Sequence, residues 1–102
     1  MRANALRGEA ELRLGEDTLV LRPSFAALVA AETELGPLFG LVERAAAGEL
    51  RLAELAGLFW HCRHGWPAGL ARDDFAERLV AGGLAAATPA LRVLLGQVLA
   101  GR

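Results

Sequence analysis

The chain has 102 residues, 54% of them hydrophobic with alanine the largest contributor, and a formal charge of −1, which leaves room for one core and little for a second. Its 11 basic residues are all Arg, a coding bias from which no function follows, and they alternate with acids: four against four in residues 1–22, one against four in 23–50, six against four in 51–102. No segment is basic enough to displace counterions from phosphates, which argues against nucleic acid as a partner.

In chain order, residues 1–11, MRANALRGEAE, lack the apolar run of a secretory signal. Alternation begins at EAELRL, residues 9–14, with Ala10, Leu12 and Leu14 on one face and Glu9, Glu11 and Arg13 on the other. That is the pattern of a half-buried strand. TLVLR, residues 18–22, repeats it with Leu19 and Leu21 set against Thr18, Val20 and Arg22, and Gly15-Glu16-Asp17 supply the turn between. A hairpin over 8–22 follows, its apolar face in need of helices and its outer edges open to another chain.

The period then lengthens to about 3.6, the mark of a helical body over 23–100. Pro23-Ser24 open the first helix, Phe25, Leu28, Val29 and Leu35 share its inward face, and Gly36-Pro37 stop it. Leu38, Leu41, Val42 and Ala45 make a second short helix ending near Gly48. A third runs from Leu52 to His64, closed by Gly65-Trp66-Pro67. Asp73 and Asp74 open the fourth, with Phe75, Leu79 and Val80 inward and Gly82-Gly83 at its end. Thr88-Pro89 start the last, whose buried stripe is Leu91, Leu94, Leu95, Val98 and Leu99. The longest uncharged stretch, 13 residues from Leu79 to Leu91, falls short of the about 20 apolar residues of a membrane span. The expected fold is α+β, mostly α: one domain over 1–102, with an N-terminal β-hairpin packed on a bundle of about five short helices.

Residues 59–66, FWHCRHGW, hold both tryptophans, both histidines and the single cysteine. On a continuous helix of ~100° per residue, Leu55, Leu58, Phe59, Cys62 and Trp66 form one apolar stripe. His61 falls about 110° from its centre and His64 about 170°, so thiol and imidazoles are scattered. Zinc sites want three or four converging ligands, and helical pairs are normally i, i+4, whereas His61 and His64 are i, i+3. Cys62 reads as a small buried hydrophobe rather than a nucleophile, and a lone cysteine suits a reducing cytoplasm. Trp60 and His64 lie together away from the stripe. Either another element covers them, approaching over Ala53, Ala56 and Gly57, or they form an exposed contact patch. Glu32 and Glu34 diverge on a helix and make no acid–base pair, Ser24 and Thr88 read as caps, and the glycines match no phosphate loop. No catalytic, cofactor-binding or metal residue emerges, and the chain reads as no enzyme.

The run GEAELRLGEDTLVLRPSFAALVAAETELG, residues 8–36, resembles the small tail proteins encoded in bacterial gene transfer agents and related tailed-phage clusters. Their pattern is a GE-start hairpin leading into T-L-x-L-R-P-[ST]-F-x-A-L-x-x-x-E-x-x-x-G. Thr18, Leu19, Leu21, Arg22, Pro23, Ser24, Phe25, Ala27, Leu28, Glu32 and Gly36 meet it here. GELRLAELAGLFW, residues 48–60, is similar to the family's third-helix segment, after which His61-Cys62-Arg63-His64 replace the usual small apolar residues. The resemblance implies a non-enzymatic morphogenesis protein, a tail-assembly chaperone or a tail-tube-associated component. Its partners would be the tape-measure and/or tail-tube protein of the same cluster, with no cofactor, small-molecule substrate or membrane, and with self-association open to it. The alternatives are a small helical regulatory or DNA-binding module on the helices around 72–100, and a metal-dependent enzyme using His61 and His64.

Overall fold

A computed structural model describes residues 8–100; residues 1–7 and 101–102, the two ends of the domain expected over 1–102, lie outside the described residues. Strands β1 (Ala10–Leu14) and β2 (Asp17–Leu21) pair antiparallel, with Ala10 opposite Leu21, Leu12 opposite Leu19 and Leu14 opposite Asp17. The two-residue connection has Gly15 at φ 60° and Glu16 at negative φ, the pattern of a II′ turn, whose twist matches that of the strands it joins. Leu12, Leu14, Leu19 and Leu21 are buried as their alternation requires.

Val20, assigned by alternation to the outer face, is buried as well, and the cause is a third strand. β3 (Arg63–His64) pairs antiparallel with β2, Val20 opposite His64 and Leu21 opposite Arg63, giving the order β1-β2-β3. One of the two hairpin edges is therefore already taken by this chain.

The helices are α1 (Phe25–Leu35), α2 (Leu38–Ala46), α3 (Leu52–His61), α4 (Arg72–Ala81) and α5 (Thr88–Ala100). α1 starts where Ser24 Oγ accepts from Ala27 N–H at 3.2 Å and ends at Gly36, whose φ of 91° favours glycine. Glu32 then reaches across the break, its Oε2 accepting from Leu38 N–H at 3.1 Å, so α1 caps the start of α2.

α3 stops three residues earlier than its apolar pattern implies. Cys62 N–H still reaches Leu58 and Phe59 carbonyls, but its ψ of 4° leaves the helix, and its own carbonyl accepts from Arg22 N–H at 2.7 Å. Continuing the helix would leave the outer backbone groups of β2 unpaired. The five-residue stripe expected to include Trp66 is thus split between α3, its capping residue Cys62 and the loop after β3.

The inward face of α1 also differs. Phe25 is 85% exposed and Val29 44%, while Ala31 is fully buried, with Ala27, Leu28 and Leu35 packed beside it. Close approach of α1 to α3 selects this face. A Cβ on Gly57 would lie 3.1 Å from a Leu35 methyl, so there is no depth for a phenyl ring at the crossing. Val80 and Leu99, expected inward, are likewise half or more exposed, and α5 follows directly from a 3-10 turn (Leu84–Ala87), so Thr88 is helical rather than a cap. Phe59, Phe75, Leu12, Leu21, Leu79 and Leu94 are among the largest fully buried side chains and join the sheet, α3, α4 and α5 in one cluster.

Candidate interaction surface

The end of α3 distributes the residues of FWHCRHGW to four separate tasks. Phe59 and Cys62 are fully buried, and burial pushes the Cys62 thiol up to about 12, far from a thiolate at neutral pH. His61 turns to Glu34 at 2.7 Å. Arg63 and His64 form β3. Trp66 donates its indole N–H to the Val20 carbonyl at 2.7 Å, fastening the loop after β3 to the middle of β2.

Trp60 is half-buried and walled in rather than offered to solvent. Trp66 meets it edge-on with centroids 6.0 Å apart, Phe75 lies at 6.3 Å, and the Arg63 guanidinium sits 4.0 Å from its ring centre. The cover comes from α4 and the loop before it. α1 approaches on another side, over Gly57.

Glu34 is the main electrostatic node. Arg72, the first residue of α4, forks onto it at 2.8 and 2.5 Å, and His61, the last residue of α3, takes the same carboxylate, so the ends of three helices meet there. The Arg72 hydrogen bonds first and that of His61 second hold the Glu34 carboxyl at about 2, against an ordinary 4.5. Glu32, two residues before, serves α2 instead, so the two carboxylates diverge. A second tie, Arg44 to Glu54, joins α2 to α3, and a third, Arg78 to Asp17 at 2.6 Å, pins α4 to the hairpin turn. None of these pairs has a local sequence signature: Arg72 lies 38 positions from its partner. Among the described residues no group of three or more His, Cys, Asp and Glu is placed to hold a metal ion, and His61 and His64 face different neighbours.

The outward surface mixes acids such as Glu11, Glu16, Asp73 and Glu77 with large apolar side chains. Phe25 and Phe39 are 85% and 71% exposed, one each on α1 and α2. A hollow of about 190 Å3 opens between the start of α3 and the 3-10 turn, lined by Leu50, Leu52, Leu55, Leu84 and Leu91. A wider cleft of about 490 Å3 runs between α1 and β3, with Arg22, His61, Arg63 and His64 on its walls. No single helix among the described residues is long and apolar enough to cross a membrane.

No curated protein and no solved structure matches the chain. A family model described as "Phage tail tube protein, GTA-gp10" matches residues 7–101. The matched span takes in the hairpin, all five helices and β3, including Arg22, Ser24, Glu32 and Gly36, which here anchor the strand edge, the first cap and the α1–α2 corner. The chain belongs to the phage tail tube protein, GTA-gp10, family.

Proposed function

We propose that the chain is a non-catalytic morphogenesis protein of a phage-like tail or gene-transfer particle, made in the cytoplasm and acting through protein–protein contacts. The tail-tube or tape-measure protein of the same cluster is its partner, which it serves as an assembly chaperone or as a component of the tube itself. The observation that carries this is the family match from residue 7 to residue 101. Further support comes from the distribution of side chains: polar groups with strong partners fasten helix ends to one another, while large apolar groups such as Phe25 and Phe39 are left on the outside.

Co-expression with the tube and tape-measure proteins of the same cluster tests it. Co-elution with at least one is the expected result, and elution alone from both overturns the proposal. Mass spectrometry of purified particles then divides the two roles. Presence in stoichiometric amount identifies a tube component, and absence from particles whose assembly requires the gene identifies a chaperone.

A further inference from the structure

We infer that the cleft between α1 and the outer edge of β3 is a docking site for an acidic, extended segment of a partner protein. This deepens the assembly role proposed above and rests on it. The sheet order leaves β3 at the edge. Arg22 N–H bonds the Cys62 carbonyl and His64 lies opposite Val20, so by antiparallel alternation the N–H and C=O of Arg63, between those positions, point away from β2. An extended segment can take up such groups, as in strand addition.

The cleft alongside has a volume of about 490 Å3, within the range of ligand sites. Its walls carry Arg22, Ser24, His61, Arg63 and His64, with Ala30 on the floor, and no carboxylate lines it. Two guanidiniums, Arg22 and Arg63, line it, that of Arg63 resting on the Trp60 ring and carbonyl, while Glu9 pairs with Arg22 and Glu34 with His61 from outside the lining. Glu9 has a side chain only 5% exposed, and Glu34 is held by Arg72 and His61. Arg63 and His64 pair with no carboxylate among the described residues. An extended chain shows every second side chain on one face, so carboxylates spaced i, i+2 would meet these walls while the backbone runs along Arg63. The small side chains of Ala26, Ala27 and Ala30 in the lining let that backbone lie close. A nucleic acid fits less well, because the chain as a whole has a net charge of −1 and its arginines are interspersed with acids.

The test uses the full-length chain and a fluorescein-labelled peptide of alternating glutamate and valine, followed by anisotropy and by amide NMR. Saturable binding is expected, with shifted amides confined to Arg22–Ala30 and His61–His64. Arg63→Glu and His64→Glu should each weaken it about tenfold or more. Ala30→Glu, which keeps every basic group and places a carboxylate on the floor, should act in the same direction in a chain whose circular dichroism is unchanged. Arg92→Glu makes the same charge change on the exposed side of α5 and should leave binding within about twofold. The inference is overturned by equal binding of a lysine–valine peptide or of single-stranded DNA, by an equal loss in Arg92→Glu, or by absence of saturable binding. Co-elution with tail proteins without peptide binding removes the cleft alone. Peptide binding without any tail partner removes the assembly role and spares the cleft.

Discussion

α3 and α5 are both rich in Leu and Ala, yet they meet opposite fates. α3 buries five consecutive residues, Leu55 to Phe59, because α1 and α4 flank it and Gly57 admits one of them to near contact. α5 buries only Ala90 and Leu94 fully and leaves Val93 46% and Leu99 56% exposed. Apolar content alone does not separate them. The difference lies in the number of neighbours: a helix enclosed on several sides shows no periodicity in its burial, whereas a peripheral one keeps a stripe and has apolar groups left over for other molecules.

The sharpest test of that contrast is a pair of truncations. Phe59→Ala should cost about 3–5 kcal/mol in urea unfolding, and Leu99→Ala less than about 0.5 kcal/mol. Similar costs would break the comparison. Ser24→Ala removes the α1 cap and should cost about 1 kcal/mol, read as a shift of the urea midpoint at constant slope.

Glu34→Gln comes next. Its side chain is 39% exposed, so solvent screening reduces the effect to about 0.5–1 kcal/mol at neutral pH. The Glu34 carboxyl is held at about 2 in the folded chain against 4.5 ordinarily, so its contribution is complete above 4.5 and is lost as the pH falls toward 2. Wild type and Glu34→Gln should therefore differ in stability at pH 7 and converge near pH 2. A gap that persists in acid would show that the node works by packing instead. The smallest effect belongs to Phe25→Ser, within about 0.5 kcal/mol in stability because the ring is almost wholly solvated, while its effect on partner binding should be the larger of the two.

The hairpin and the ends of most helices were legible because glycine, proline and charge alternation act locally. Gly36 at φ 91° and Gly83 at φ 85° stop helices where the pattern places the stops. β3 was not legible. Two residues carry no period, and their partners are Val20 and Leu21, far back in the chain. The breadth of apolar spacing around residues 52–66 is compatible with an uninterrupted helix, and only the unpaired edge of β2 decides otherwise. The face of α1 departs from its pattern for a related reason: size favours Phe25 for the core, but the closeness of α3 rewards Ala31. Of the surface, the walled position of Trp60 was one of two readings the sequence left open, and the burial of Cys62 was anticipated. The Glu34 node and the basic cleft depend on residues brought together only by the fold.

The indole of Trp66 grips Val20 across 46 positions, and this has a consequence for how the molecule comes apart. The hairpin is not an appendage that opens independently of the body, since its release would strip hydrogen bonds from both the indole and β3. Tryptophan fluorescence, which reports Trp60 in α3 and Trp66 in the loop clasped to β2, and far-ultraviolet circular dichroism, which reports the helices, should therefore trace a single coincident melting curve.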